Sequence, residues 1–191
     1  TGAPVENIPF ESVKYWNEIV NLINEAKYQC ASTLGLCWAG FALAYLAGVE
    51  KINFQKKLFG VYPMRSLVPS HPLMGNQDDE FYCPQSRYAG LPDDAMEEAQ
   101  RQGRLRLLSY GEKVGYTIFE TTDQRQLMHL GHPEYNVARI LAEMDRDKEK
   151  GEVPPPENFD PVNAQTSWRS HRNLLFQQWL WFCYQRVSFD S

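Results

Sequence analysis

Cys37 has the most distinctive chemical setting in this sequence. It follows Ala31–Leu36, whose small and branched residues predict a short buried strand, and it precedes an Ala- and Leu-rich helix that begins at Trp38. A strand, a turn with one reactive side chain and a helix form the layout of a nucleophile elbow. Because the free N–H groups at a helix start favour negative charge, a thiolate is stabilised there. The alternative is a buried structural cysteine, which is how most free cysteines occur.

The residues around Cys37 fit the elbow. Gly35 and Gly40 permit backbones to approach closely in a turn that crowds a Cβ atom, and the backbone N–H of Trp38 is predicted to lie beside the sulfur as one donor of an oxyanion hole. The remaining cysteines lack this context, and we interpret them as packing residues. They form no Cys-x-x-Cys pair, so no metal site is predicted. These are Cys30, Cys83 and Cys183.

His132 and Glu134 form a second candidate group, between a predicted strand and a predicted helix. Residues two apart in an extended segment point to one side, so the carboxylate can fix the tautomer of the imidazole. The alternative is an ion pair in a loop. Together with Cys37 the pair supplies a nucleophile, a base and an orienting carboxylate, in that order along the chain. Three other histidines have no comparable setting: His71, His129 and His171.

Composition narrows the function class. Of the 191 residues, 43% are hydrophobic and 23% charged, which is typical of globular proteins, and the net charge of -5 argues against nucleic-acid and polybasic membrane partners. No apolar run approaches the roughly 18–20 residues that span a bilayer. No cationic, apolar leader opens the chain, so we expect a cytoplasmic protein. Because the chain starts at Thr1 without Met, we expect that an N-terminal portion of the fold is missing.

Helical and strand patterns alternate along the chain, and helices that flank strands predict one layered α/β domain over residues 1–191. The Pro-rich stretch Pro63–Pro92 is predicted to be a long loop. The predicted helices are Phe10–Ala26, Trp38–Ala47, Asn136–Lys150 and Trp168–Tyr184, and the predicted strands are Ala31–Leu36, Leu58–Tyr62, Leu105–Ser109, Gly115–Glu120 and Arg125–Leu130.

Several ordered motifs resemble one enzyme family, the homoserine O-acyltransferases of the homoserine transsuccinylase type. No single motif is specific, but their order along nearly the whole chain is. The matching stretches are Thr1–Glu6, Cys37–Ala39, Lys57–Tyr62, Pro84–Ala89, Gly131–Tyr135, Trp168–His171 and Asn173–Phe176.

The resemblance implies a class I glutamine amidotransferase-like, flavodoxin-like fold, with a layered sheet, helices on both faces and a cysteine at the nucleophile elbow. It implies transfer of an acyl group from acyl-CoA to the hydroxyl of L-homoserine through an acyl-enzyme thioester, in methionine biosynthesis. It implies small-molecule substrates, no permanently bound cofactor, acetyl-CoA or succinyl-CoA as co-substrate, and a homodimer.

The resemblance also implies residue roles. Cys37 matches the acyl-carrying nucleophile, His132 the general base and Glu134 its orienting carboxylate. The oxyanion is expected to be held by the Trp38 N–H and by a second N–H from the turn Ala3–Glu6.

Four further residues are expected to bind or select substrates. Lys57 and Ser86 match substrate-binding positions, and Arg146 matches the arginine that holds the carboxylate of the amino acid. A glutamate at position 6 resembles the acetyl-CoA users, because Glu6 would repel the distal carboxylate of a succinyl group. Without the resemblance, Lys57 would be read as part of a solvated basic face and Arg146 as part of a helix-surface ion pair.

The acceptor, the acyl donor and the class of reaction each have an alternative that fits the same residues. Gln85 stands where the family typically has a histidine, so serine, one methylene shorter, is an alternative acceptor. Succinyl-CoA is the alternative donor. A glutaminase shares the Cys…His-x-Glu order, and an inactive binding fragment is the alternative from a different class.

Overall fold

The computed structural model describes residue 5, residues 7–149, residue 151 and residues 154–187. After a 3-10 turn at Phe10–Ser12, helices and strands alternate along the chain. The helices are α1 (Trp16–Gln29), α2 (Trp38–Leu46), α3 (Asp93–Arg101), α4 (Val137–Glu149) and α5 (Arg169–Arg186). The strands are β1 (Thr33–Leu36), β2 (Ile52–Ser66), β3 (Glu80–Gly90), β4 (Leu105–Gly111), β5 (Gly115–Thr121) and β6 (Gln126–His129).

The strands form one 6-stranded sheet in the order β1-β6-β5-β4-β2-β3. β1 pairs with β6 in parallel, and every other neighbouring pair is antiparallel. The three predicted central strands β4, β5 and β6 are joined by short turns, which explains their antiparallel pairing.

Helices cover both faces of this sheet, as predicted. On one face Leu107, Phe119 and Met128 pack with residues from α1, α2 and α3. On the other face their strand neighbours, among them Leu108 and Ile118, pack with residues from α5. Since consecutive strand residues point to opposite faces, the apolar runs of β4 and β5 are those of strands buried on both sides.

The predicted loop Pro63–Pro92 is confirmed only for its middle, residues 67–79, and is wrong on both sides of it. β2 extends well beyond its predicted segment and pairs with β3 over most of its length, so that a long antiparallel hairpin occupies much of this stretch. Pro84 is tolerated because β3 is the edge strand of the sheet and one side of it has no ladder to join. Pro84 therefore marks an edge strand, whereas Pro69 and Pro72 lie in the irregular segment that joins the two strands.

Two helix predictions also need correction. The helix predicted to start at Phe10 begins only at Trp16, since Val13 is extended and separates it from the 3-10 turn. Helix α3 was missed, although Pro92 and two acidic residues at its first turn are typical of a helix start.

The fold brings Cys37 and the pair His132 and Glu134 to the same end of the neighbouring strands β1 and β6. β1 ends at Leu36 and its parallel neighbour β6 ends at His129, and these two residues are paired in register. The segments that carry Cys37 and His132 therefore leave the sheet side by side. Within the described ranges, no helix combines the length and the apolarity needed to cross a membrane.

Candidate active site

Cys37 adopts the strained backbone of a nucleophile elbow. Its φ of 50° and ψ of -114° lie in a region of backbone conformation that residues other than glycine rarely adopt. This conformation costs about 1–3 kcal/mol. Cys37 is the N-cap of α2, and its N–H donates to the His129 carbonyl at 2.8 Å. The strand, turn and helix predicted around this cysteine are therefore confirmed.

The elbow depends on close packing that the glycine at position 35 permits. A Cβ atom on Gly35 would lie 2.7 Å from the Leu43 side chain and 2.9 Å from the Ala39 main chain. Trp38 is the first residue of α2, so its N–H has no acceptor within the helix. Its side chain is buried against Phe10 and Trp16, which anchors the start of α2 on α1.

The structure places His132 between Cys37 and Glu134. The Nδ1 atom of His132 is 2.7 Å from the Glu134 Oε1 atom, and the imidazole lies within hydrogen-bonding reach of Cys37 on its other side. Burial alone would lower the pKa of His132, but the interactions with Cys37 and Glu134 outweigh it and raise the pKa to about 10. The predicted nucleophile, base and carboxylate are thus adjacent, and the pair favours a charged imidazole beside the sulfur.

A second polar group lies on β2, β3 and α4, and we call it the Lys57 cluster. The Lys57 side chain is only 4% exposed, and its Nζ atom lies 2.6 Å from both Glu143 and Asp147. The interpretation of Lys57 as part of a solvated basic face is therefore wrong. The members of the cluster are Lys57, Ser86, Glu143, Arg146 and Asp147.

Ser86 and Arg146 meet at the same carboxylate. The Ser86 hydroxyl donates to Glu143, and the Arg146 guanidinium lies 3.1 Å from both Glu143 and Asp147. Burial alone would raise the pKa of Glu143, but the hydrogen bonds from Lys57 and Ser86 lower it to about 2. The three residues predicted to bind substrate thus converge on two carboxylates, while the Arg146 side chain keeps 47% of its surface exposed.

Tyr135 connects the two groups. Its ring stacks on the His132 imidazole with the centroids 4.2 Å apart, and its hydroxyl interacts with Glu143. Its backbone carbonyl accepts the indole N–H of Trp168 at 2.7 Å, which fixes the position of the segment. The side chains of the Lys57 cluster are therefore one aromatic ring away from the imidazole.

The sequence analysis missed Tyr135, Glu143 and Asp147. A signal was available for the two acids, since residues 140, 143, 144 and 147 share the buried face of α4. A carboxylate on a buried helix stripe requires a cationic partner. The cationic partner of Glu143 is Lys57, which is 86 residues away in sequence, so no local pattern connects the two residues.

Some predictions lie outside the described residues. Glu6 does so, as does nearly all of the turn Ala3–Glu6 from which a second oxyanion donor was expected. Among the residues that the structure describes, no three His, Cys, Asp or Glu side chains are grouped to hold a metal ion.

A groove of about 930 Å³ runs beside Tyr62, Arg65, Tyr82 and Tyr110, and its lining includes none of the predicted site residues. The two polar groups, and not this groove, therefore define the candidate site.

The chain is similar to curated homoserine acyltransferases along its full length. A homoserine O-acetyltransferase of Methanomassiliicoccus intestinalis is 38% identical over 198 residues, covering 100% of this chain and 63% of the relative. A homoserine O-succinyltransferase of Proteus mirabilis is 39% identical, with 100% and 63% covered. The chain thus spans less than two thirds of the length of these relatives.

Solved structures show the same fold at low sequence identity. A glutamine amidotransferase from Thermotoga maritima matches with a TM-score of 0.67 and 15% identity, over 99% of this chain and 75% of that one. A glutamine amidotransferase from Methylobacillus flagellatus gives the same score over 97% and 75%. The fold is therefore that of the class I glutamine amidotransferases, as the resemblance implied. Since the family model described as Homoserine O-succinyltransferase matches residues 1–189, the chain belongs to that family.

Proposed function

We propose that this protein is a homoserine O-acyltransferase that moves an acetyl group from acetyl-CoA to the hydroxyl of L-homoserine, a reaction of methionine biosynthesis. The observation that carries the proposal is the strained elbow of Cys37 beside an imidazole that is itself bonded to Glu134. A strained nucleophile at a helix start, next to a base held by a carboxylate, is the arrangement of enzymes that form acyl-enzymes.

In the first half of the reaction, His132 takes the thiol proton of Cys37. The sulfur attacks the thioester carbonyl of acetyl-CoA, and the bond to the coenzyme sulfur breaks. The leaving thiolate takes the proton back from His132, so that free coenzyme A and acetylated Cys37 result. The high pKa of His132, about 10, supports this step because it favours the imidazolium that forms beside the sulfur.

In the second half, His132 takes the proton of the homoserine hydroxyl, and the oxygen attacks the acetyl carbonyl on Cys37. The carbon–sulfur bond breaks, the thiolate regains its proton from His132, and O-acetylhomoserine leaves. The N–H of Trp38 is suited to hold the oxyanion of both tetrahedral intermediates, because it has no acceptor within α2 and follows Cys37 directly in the chain.

We assign recognition of the amino-acid acceptor to the Lys57 cluster. Arg146 offers a guanidinium that is half exposed and fixed by two carboxylates, a geometry suited to binding the carboxylate of homoserine. Ser86 and Lys57 hold Glu143 in place, and Tyr135 sets the distance to His132. Serine would place its hydroxyl one methylene further from the sulfur.

We assign the choice of acyl donor to Glu6. The relatives named above include both an acetyltransferase and a succinyltransferase, so the donor rests on this residue alone. Replacing Glu6 with glycine is expected to raise the use of succinyl-CoA relative to acetyl-CoA, because the repelling carboxylate is removed. An unchanged ratio of kcat/KM for the two donors would remove Glu6 from the proposal.

Mass spectrometry tests the central step. After mixing with acetyl-CoA alone, the peptide that contains Cys37 is expected to gain the mass of one acetyl group and to lose it when homoserine is added. Cys37→Ala should abolish labelling, while the matched variant Cys183→Ala should retain it, since Cys183 lies on α5. No acetyl mass in the wild-type protein would contradict the proposal.

A competition assay between homoserine and serine determines which amino acid is the preferred acceptor. We expect a higher kcat/KM for homoserine than for serine in a mixture of the two. Preference for serine would make the protein a serine O-acetyltransferase with the same chemistry. Ammonia release from glutamine without any acetyl labelling would replace the proposal with a glutaminase.

A further inference from the structure

We propose that His129 is a positioning residue that joins the nucleophile and the base of the candidate site through its main chain and its ring. The inference rests on the proposed function only in that Cys37 and His132 must act as a pair. The sequence analysis found no role for this histidine.

The main chain of His129 holds the nucleophile. Its carbonyl accepts the N–H of Cys37 at 2.8 Å, at the point where the backbone of Cys37 is strained. His129 is the last residue of β6 and pairs with Leu36, the last residue of β1. The bond therefore fixes the elbow relative to the segment that follows β6.

The ring of His129 holds the segment that carries the base. Its Nδ1 atom accepts the N–H of Gly131 at 3.0 Å, so this nitrogen carries no proton and Nε2 carries it. A Cβ atom at position 131 would lie 2.5 Å from the Gln85 side chain and 2.9 Å from the Cys83 sulfur, so the main chain is closely confined there. Gly131 directly precedes His132, and the ring therefore fixes the turn that aims the imidazole.

A second route leads from the same ring to His132. The Nε2 atom lies 3.8 Å from the Cys83 sulfur, and the Cys83 thiol reaches the Pro84 carbonyl at 3.4 Å. That carbonyl also accepts the backbone N–H of His132 at 2.8 Å. Burial raises the pKa of the Cys83 thiol, which keeps it protonated and able to donate. Two hydrogen-bonded routes thus connect His129 to the backbone of the base.

The arrangement requires a neutral ring, because a protonated Nδ1 could not accept the Gly131 N–H. Burial has the largest effect and lowers the pKa of His129 well below 6.5. Electrostatic repulsion from the nearby imidazoles of His171 and His132 acts in the same direction. Arg87 acts in the same direction, and the Cys83 thiol lies beside Nε2 of the ring. His129 is fully buried, so solvent does not compete for either nitrogen.

The test compares His129→Asn, which can offer an acceptor near the position of Nδ1, with His129→Leu, which cannot. The readout is the rate at which iodoacetamide alkylates Cys37 as a function of pH, measured alongside kcat and KM. For His129→Leu we expect the alkylation profile to move to higher pH by about one unit, because a misplaced imidazole no longer stabilises the thiolate. We expect kcat to fall about 10- to 100-fold, with KM changed less than about 3-fold.

His129→Asn is expected to recover most of the alkylation profile and of kcat. The matched control is His71→Leu, because the buried ring of His71 accepts the N–H of Leu73 at 3.2 Å in the same two-residue geometry but bonds to Glu120 instead of the site. His71→Leu should leave the alkylation profile in place. A wild-type profile in His129→Leu, or equal losses in folded His129→Asn and His129→Leu, would overturn the proposal.

A measurement on the wild-type protein keeps the test independent of folding in the variants. Nitrogen NMR of the imidazoles should show His129 as the Nε2–H tautomer with no titration between about pH 5 and 8. A proton on Nδ1 would overturn the proposal. Because alkylation needs no acyl donor, a protein that never forms an acetyl-enzyme would still report on His129, which separates this inference from the proposed function.

Discussion

Cys37, His132 and Glu134 form one polar group, the Cys37 group, and the Lys57 cluster forms another. Both bury ionisable side chains, but they do so in different ways. In the first, the imidazole of His132 lies between the Cys37 thiol and the Glu134 carboxylate, which is 40% exposed. In the second, the Nζ atom of Lys57 lies 2.6 Å from two buried carboxylates. The first group pairs a thiol with an imidazole, while the second pairs a cationic side chain with two carboxylates.

This difference separates chemistry from positioning. A group that must donate and accept protons needs a partner within hydrogen-bonding reach and some contact with solvent or substrate. The lysine and the two carboxylates of the Lys57 cluster hold one another in place, because removing one partner of a buried pair is costly. Tyr135 lies between the two groups, with its ring stacked on His132 and its hydroxyl interacting with Glu143.

Removal of the base should have the largest effect. His132→Gln is expected to lower kcat about 10³- to 10⁴-fold, because no other group replaces the imidazole in proton transfer. Steady-state kinetics with acetyl-CoA and homoserine measures it, and circular dichroism checks that the fold is kept. A loss below about 10-fold would show that the two regions do not divide chemistry from positioning.

Lys57→Met should act on stability. It leaves Glu143 and Asp147 with only the half-exposed Arg146 as a cationic partner, at an expected cost of about 3 kcal/mol in the free energy of unfolding. The matched control is Lys113→Met, whose salt bridge to Glu157 is 2.8 Å long but whose side chain is 70% exposed. That change should cost less than about 1 kcal/mol. Urea unfolding compares them, and equal costs would contradict the assignment of a buried scaffold.

The two regions should lose stability at opposite ends of the pH scale. The pKa of Glu143 is lowered from 4.5 to about 2, so its contribution, on the order of 3 kcal/mol, is present above pH 4.5 and lost as the pH falls toward 2. The pKa of His132 is raised from 6.5 to about 10, so its contribution is present below pH 6.5 and lost as the pH rises through 10.

Free energies of unfolding measured against pH test both predictions. The acid limb of this curve is the loss of stability as Glu143 is protonated, and the alkaline limb is the loss as His132 is deprotonated. Glu143→Gln should flatten the acid limb and leave the alkaline limb in place. Cys37→Ala should flatten the alkaline limb, because it removes one of the two partners that raise the pKa of His132. If either variant changed the opposite limb instead, the separation of the two regions would fail.

Glu134→Gln should have the smallest effect on catalysis. The amide can still accept a hydrogen bond from Nδ1 of His132 but supplies no negative charge, so we expect kcat to fall about 10- to 30-fold. The exposed position of the carboxylate limits the loss, since water replaces part of its stabilisation. A loss as large as that of His132→Gln would show that Glu134 does more than orient the ring.

Much of the reactive group could be predicted from the sequence because its parts are local. Cys37 and Trp38 are neighbours, and His132 and Glu134 are two residues apart, so strand and helix patterns alone placed each pair at a strand end. The central strands β4–β6 were predicted for the same reason, since short turns separate them. The hairpin β2–β3 was missed because Pro84 was read without knowing that its strand lies at an edge.

The sequence by itself determined which residues have the chemistry of a thiol nucleophile, a base and a carboxylate, and in what order they occur. Only the tertiary structure decided that β1 and β6 end side by side, that Lys57 is buried with two acids of α4, and that Tyr135 lies between the two groups. The physical reason is that local patterns record the period of a strand or helix. Contacts between residues 86 or 90 positions apart depend on how whole elements pack.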